Sequence, residues 1–320
     1  MTVEEMKQMD NLMTVTTLSK RFKDNLVLNG ISFEVHRGEV LCILGPNGAG
    51  KTTTINILTA ALKSDGGTVT FKGRPIGRQL KDYKQALGIV PQDVSLYEEL
   101  SAEQNLRFFA ELYGLKGKKK AEAVDEALAF AGLTERRRDK VKTFSGGMKR
   151  RLNIACAIAH HPEIVIMDEP TVGIDPQSRN HILASIRQLR DSGMTVIYTT
   201  HYMEEVEVIS SRIIIMDHGA IIAEGTAESL KEAFENEKRY TIQVEENGKI
   251  PESTFFSVEG VKSVKIEGET LEISSLKGVE NLDKIISLLS DSGEKIRNIA
   301  SETANLEMVF LKLTGRKLRD

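Results

Sequence analysis

Four short runs along the chain are apolar almost throughout: VLCIL at 40–44, IVIM at 164–167, TVIYTT at 195–200 and RIIIM at 212–216. A strand covered on one face alternates, whereas one covered on both does not, so these runs predict buried strands of a largely parallel α/β sheet. The earlier stretches MTVTTLSKRF and LVLNGISFEVHRGE alternate more evenly and predict a small antiparallel layer. From Asp93 to Ser145 helical spacing dominates, with SAEQ at 101–104 forming a capping box for a helix through LRFFAELYG that Gly114 stops. Past about residue 230, ESLKEAFENEKR reads as a helix, and alternation returns in YTIQV and VKSVKIEGETLEISS. A helix ENLDKIISLLSDSG, a strand near IRNIA and a last helix NLEMVFLKLTGR complete a small α+β domain of about 80 residues. The expected division is residues 1–236 and 237–320, with a helical subdomain at about 93–150.

Composition narrows the partners. With 43 Lys plus Arg against 46 Asp plus Glu, the net charge of -3 gives no reason to expect a nucleic-acid binder. KGKKK at 116–120 and RRR at 136–138 read as solvated helix ends and loops. Cys42 and Cys156 lie inside apolar runs and read as buried thiols. The polar N-terminus MTVEEMKQMDN lacks the apolar core of a signal peptide, and no stretch is apolar for the roughly 18 to 20 residues that span a bilayer. The expectation is a cytosolic chain that reaches a membrane only through a partner.

Candidate chemistry begins at LGPNGAGKTT, residues 44–53. Gly45, Gly50, Lys51 and Thr52 fit G-x-x-x-x-G-K-[ST] between a strand and a helical run, so Gly45, Pro46, Asn47, Gly48, Ala49, Gly50, Lys51, Thr52 and Thr53 form a phosphate-binding loop. Its N–H groups converge on phosphate, Lys51 neutralises the β and γ oxygens, and the Thr52 hydroxyl can ligate Mg²⁺. The strand IVIM ends in Asp168 and Glu169: one carboxylate can hold Mg²⁺ through water, the other can orient and deprotonate an attacking water. No Asn is followed by Lys, so the guanine-reading Asn-Lys-x-Asp is absent and a GTPase is disfavoured. A small-molecule kinase fits these two motifs, but it leaves Ser145, Gly146 and Gly147 unexplained. In FSGGMKRRL, Ser-Gly-Gly bares the backbone just where a helical pattern begins, a second place for an anion.

Together these motifs resemble the ATP-binding cassette (ABC) ATPases. The resemblance runs from residue 13 to about 230 and takes in GPNGAGKTT, the glutamine of VPQD, SGGMKRRL, IVIMDEPTVGID and TTH in order. It implies a P-loop NTPase core with an antiparallel β layer and a helical subdomain, bound ATP and Mg²⁺, and ATP hydrolysis. Ser145, Gly146 and Gly147 match the family's signature, which binds the γ-phosphate of ATP held by the opposite subunit. Gln92 matches the residue that touches Mg²⁺ and the attacking water while joining the catalytic core to the helical subdomain, His201 the γ-phosphate sensor, and Asp175 a loop crossing the dimer interface. Phe22 matches the aromatic that stacks on adenine; a core phenylalanine is the alternative. His160 and His161 read as structural. Met148 departs from the usual signature glutamine and leaves the backbone cradle intact.

SGGMKRRL, LYEELSAEQNLRFFAELYGL and NLEMVFLKLTGR resemble exporter ATPases. The reading is a motor subunit whose ATP-sandwiched homodimer drives a separate transmembrane permease from the inner face of the membrane. An importer ATPase, a regulatory module without turnover, or a non-transport ABC ATPase acting on DNA or ribosomes are the alternatives. Leu96, Tyr97, Phe108, Phe109 and Tyr113 are either core or part of a groove receiving a permease helix. The role of residues 237–320 stays open.

Overall fold

The computed structural model describes residues 11–234, 237–245, 250–302 and 305–315. The N-terminal decapeptide and Arg316, at the end of the last expected helix, lie outside the described residues. The chain divides after Ala227, and a second compact unit runs Glu228–Gly315.

In the first unit, β1 (Asn11–Phe22) and β2 (Asn25–His36) form a long antiparallel hairpin. β3 (Val40–Leu44) is buried at every residue and leads through a glycine turn into α1 (Lys51–Leu58). β4 (Gly66–Phe71) and β5 (Arg74–Pro75) return to the hairpin, giving the sheet β2-β1-β4-β5. After α2 (Leu80–Gln85) comes β6 (Leu87–Val90), then α3 (Ala102–Leu112), α4 (Gly117–Phe130) and α5 (Gly146–Ile158). β7 (Ile164–Asp168), α6 (Pro176–Asp191), β8 (Thr195–Thr200), α7 (Met203–Ile209), β9 (Arg212–Asp217) and β10 (Ala220–Gly225) complete it.

Strands β9, β3, β8, β7 and β6 pair in parallel, and only β10 is antiparallel, in the order β10-β9-β3-β8-β7-β6. Register aligns their ends: Leu44 pairs with Thr200, Asp168 with Thr199 and Val90 with Met167. The residues that follow, Gly45, His201, Glu169 and Pro91, therefore leave the sheet along one carboxyl edge, where open α/β sheets place their ligands. One hydrophobic core joins the hairpin to this sheet through Leu18, Phe33, Ile43, Leu58 and Ile166. A separate core, with Leu106, Val124, Leu128, Leu152 and Cys156, holds α3, α4 and α5 together. Ser101 and Gln104 make the expected capping box. β6 escapes a pattern search because it is four residues long and contains Gly88, where a Cβ would lie 2.4 Å from the Ala157 carbonyl oxygen.

The second unit holds α8 (Ala227–Phe234), β11 (Glu237–Val244), α9 (Glu252–Phe255), β12 (Val261–Glu267), β13 (Thr270–Leu276), α10 (Leu282–Asp291), β14 (Ile296–Glu302) and α11 (Leu306–Thr314). Its antiparallel sheet runs β12-β13-β11-β14, and Ile285 and Leu289 of α10 pack with Tyr240, Ile242 and Ile273. The expected helix over ESLKEAFENEKR is shorter in the structure: Glu237, Lys238 and Arg239 pair across to Leu276, Ser275 and Ser274, so ladder hydrogen bonds override local helical preference.

Candidate active site

The turn after β3 shows why its residue types are fixed. Gly50 has φ +102, and a Cβ there would meet Leu28 Cδ2 at 2.7 Å; at Gly45 it would lie 2.4 Å from the Met216 carbonyl oxygen. A cavity of about 260 Å³ opens over this turn, lined by Asn25, Val27, Pro46, Asn47, Gly48, Gly50, Lys51, Thr52, Thr53, Gln92 and Glu169. Gly45 and Ala49 lie buried behind it.

Lys51 is 4% exposed, and its Nζ donates to the carbonyls of Gly45 at 2.7 Å and Pro46 at 3.2 Å. It also lies 3.1 Å from Oε1 of Glu169, itself 7% exposed. The other Glu169 oxygen is 3.1 Å from His201 Nδ1; a carboxylate only accepts, so Nδ1 carries the proton. One carboxylate thus sits between an ammonium and an imidazole. Its backbone has φ +44, an uncommon conformation for a non-glycine residue. Thr199 secures that turn: its carbonyl and its Oγ1 accept from the Glu169 N–H at 3.2 and 3.0 Å. The same hydroxyl donates to Asp168 Oδ1 at 2.6 Å. Thr199 was invisible as a functional residue from sequence, apart from its place in TTH.

Behind this pair lies a buried carboxylate that sequence reading passed over. Glu205 accepts from Thr171 Oγ1 at 2.6 Å, Tyr198 Oη at 2.8 Å and Thr200 Oγ1 at 2.9 Å. Three hydroxyl donors make its burial tolerable, and burial, reinforced by the neighbouring Glu205 charge, holds the Tyr198 phenol well above the ordinary range.

The signature stands apart from this cavity. Ser145 caps α5, its Oγ accepting from Met148 N at 3.3 Å, and Ser145 and Gly146 are exposed. Gly147 is needed for packing, since a Cβ there would lie 2.0 Å from Ser178 Oγ. Met148 packs against the helical core. Asp175 caps α6, accepting from Ser178 N at 2.9 Å, and that backbone donor lowers its carboxyl pKa. Phe22 is 47% exposed at the tip of the β1–β2 hairpin, with Lys20 Nζ 5.4 Å from its ring centre, and so is not a core residue. The structure brings the phosphate loop, Gln92, Asp168, Glu169 and His201 together; Ser145, Gly146, Gly147, Asp175 and Phe22 do not line that cavity.

His160 stacks on Tyr113 with ring centres 3.4 Å apart, and burial draws its pKa down to about 4. Tyr113 therefore belongs to packing, as do Leu96 and Phe109. Tyr97, 50% exposed, meets Phe108 edge-on at 4.9 Å and faces outward. Among the described residues, no three His, Cys, Asp or Glu side chains gather as a metal site, and no helix is long and apolar enough to cross a membrane.

A family model described as ABC transporter matches residues 28–172. The chain is 43% identical over 314 residues to the linearmycin resistance ATP-binding protein of Bacillus subtilis (strain 168), covering 97% of this chain and 100% of that one. It is 35% identical to a daunorubicin resistance ATP-binding protein of Streptomyces coeruleorubidus, with 96% of each chain covered. It is 36% identical to the Nod factor export ATP-binding protein I of Burkholderia lata, over 95% of this chain and 97% of that one. A solved ATP-binding subunit of an ABC transporter superimposes with a TM-score of 0.63 at 30% identity, over 70% of this chain and 93% of that one.

Proposed function

The chain belongs to the ABC transporter family of ATPases, and from that premise we propose how its residues divide the work of an exporter's ATP-hydrolysing motor subunit. The glycine turn from Gly45 to Thr53 and Lys51 hold the phosphates of ATP, and Phe22 stacks on its adenine. Thr52, Gln92 and Asp168 hold Mg²⁺. A hydroxyl, an amide and a carboxylate suit an ion that keeps waters and phosphate oxygens as its remaining ligands. When bound, it neutralises charge developing on the phosphates.

Glu169 is the general base, and its placement carries the reading: a buried carboxylate at the edge of the phosphate cradle, held between Lys51 Nζ and His201 Nδ1. Phosphate in the loop competes with Glu169 for the Lys51 ammonium. Binding thus transfers Lys51 from Glu169 to substrate and frees one carboxylate oxygen to accept a proton from water. His201 and the Thr199 clasp keep the carboxylate aimed meanwhile. The signature, remote from this cavity, completes the site of a second copy, so two chains enclose two ATP molecules, with Asp175 near the crossing. A transmembrane permease supplies the path and holds the subunit at the inner face of the membrane, and outward-facing Tyr97 contributes to its docking surface.

Exchange of Glu169 for Gln tests the assignment. ATP binding should persist while turnover falls by about 10² to 10⁴-fold, the usual worth of a general base, and an ATP-bound dimer should accumulate in light scattering. Near wild-type turnover would remove Glu169 from the role.

A further inference from the structure

The β7–β8 ladder ends at the pair Asp168–Thr199, just before Glu169 on one strand and two residues before His201 on the other. Beyond that pair the two strand exits are joined chiefly through side chains. Glu205, in the first turn of α7 and 1% exposed, lies behind both. Its Oε1 accepts at 2.6 Å from Thr171, two residues after Glu169, and its Oε2 at 2.9 Å from Thr200, the residue before His201. The Thr200 hydroxyl in turn accepts from the Tyr202 N–H at 3.0 Å, so one oxygen spans His201 from both sides. A single carboxylate therefore bridges the turn that carries Glu169 and the turn that carries His201.

Packing alone does not call for this choice. A leucine at 205 would fill the space without the cost of a buried charge. A carboxylate only accepts, and its two oxygens take three hydroxyls at once, Tyr198 included, which fixes the direction of each O–H. Arg179 of α6 brings its Nε to 3.5 Å from Oε1, a compensating charge that leaves the hydroxyls in place. The three donors are not equivalent. Tyr198 sits inside β8 with its backbone paired to Cys42 and Met167, so the sheet already holds it. Thr171 lies past the end of β7, fully buried, and the bonds from Val172 N to Glu169 O at 3.3 Å and from Ile174 N to Thr171 O at 3.2 Å are internal to its turn. The Thr171 hydroxyl ties that turn to the rest of the site.

We propose that Glu205 is a positioning residue for hydrolysis: by gathering Thr171 and Thr200 on one carboxylate, it sets Glu169 against His201 Nδ1 at the observed 3.1 Å. The inference rests on the roles proposed above for Glu169 and His201.

Isosteric exchanges separate positioning from packing. Thr171→Val and Tyr198→Phe each delete one hydroxyl donor from the same buried charge and should lower the melting temperature by similar amounts. Turnover should part them. A misplacement near 1 Å can cost 10²-fold, so kcat should fall by roughly 10 to 100-fold in Thr171→Val with KM for ATP within about threefold of wild type, whereas Tyr198→Phe should keep kcat within about twofold. Glu205→Leu should lose at least as much as Thr171→Val, and Glu205→Gln, whose amide oxygen still accepts, should recover part of it. NMR of the imidazole nitrogens reads the same set without turnover, the His201 signal being assigned by its loss in His201→Gln. Its Nδ1–H should keep its hydrogen-bonded shift in Tyr198→Phe and lose it in Thr171→Val. If Glu205→Leu does not fold, the two isosteric exchanges carry the test. Losses of kcat that track melting temperature across the set, or a His201 signal untouched in Thr171→Val, would overturn the proposal. Failure of the general-base reading has its own mark: Glu169→Gln would turn over near the wild-type rate, while the His201 signal would still report whether Glu205 sets the pair.

Discussion

The two glycine turns of this chain, Gly45–Gly50 and Ser145–Gly147, each lead into a helix, yet they are equipped differently. The first carries its own chemistry: Lys51 is buried in the turn, Glu169 and His201 stand against it, and Gln92 shares its cavity. The second carries three basic residues that all turn away. Lys149 pairs with Glu98 at 2.5 Å, Arg150 holds the Pro91 and Gln92 carbonyls, and Arg151 donates to Ala131 O at 2.8 Å. What remains at the signature is a hydroxyl and backbone N–H groups. Such a turn can bind an anion but has nothing to act on it with, which is what half of a shared site requires.

The sharpest way to break this contrast is to remove the lysine that follows each turn. Lys51→Ala should cost about 10² to 10³-fold in hydrolysis, the scale of losing one preorganised electrostatic partner. Lys149→Ala removes a surface ion pair and should change turnover by less than about twofold. Equal losses in a steady-state ATPase assay would erase the distinction. Glycines give a finer test. In Gly147→Ala the new methyl meets Ser178 at both Oγ and Cβ, 2.0 and 2.4 Å away, and should destabilise by about 1 to 3 kcal/mol in denaturant melts. Adding Ser178→Gly should recover it. At Gly48 no atom lies within 4 Å, so Gly48→Ala should cost only its φ of +82, about 1 to 2 kcal/mol, and no second change nearby should restore it.

Thr199→Val probes the clasp that only the first turn has. Asp168 loses its 2.6 Å donor while the Glu169 N–H keeps the Thr199 carbonyl, so the expected result is a higher Mg²⁺ requirement and a kcat lowered by about tenfold, for a hydrogen bond to a charged group worth roughly 1.5 to 3 kcal/mol. Unchanged Mg²⁺ dependence would contradict it. The smallest effect concerns His160. Burial lowers its folded pKa to about 4 from an ordinary 6.5, so between those values the unfolded chain binds the extra proton and stability falls as pH falls. His160→Asn should flatten the melting temperature across that acid range and leave it unaltered above pH 7.

Much of this could be read from the chain because motif and element coincide: VLCIL and IVIMD are buried strands whose ends carry the phosphate loop and the acidic pair. Tertiary placement could not be read. Phe22 needed its exposure, and Leu96, Phe109 and Tyr113 needed their packing partners. Arg150, Thr199 and Glu205 belong to recognisable stretches, but their roles arise from side chains meeting across 30 or more residues. Met148, the short strand β6 and the start of β11 ran against local pattern, the first because it packs, the second because α5 needs Gly88, the third because Glu237–Arg239 pair with β13.

The claim that the signature serves a second copy's nucleotide is tested most directly by mixing two broken proteins. Lys51→Ala ruins the phosphate loop, and Ser145→Arg fills the signature with bulk and charge. Each homodimer has two damaged sites. In a mixed dimer one site collects both defects and the other pairs an intact Lys51 with an intact Ser145. The account predicts that differentially tagged mixed dimers hydrolyse ATP above the sum of the two parents. Mixed dimers confirmed by both tags, with hydrolysis no higher than that sum, would contradict it.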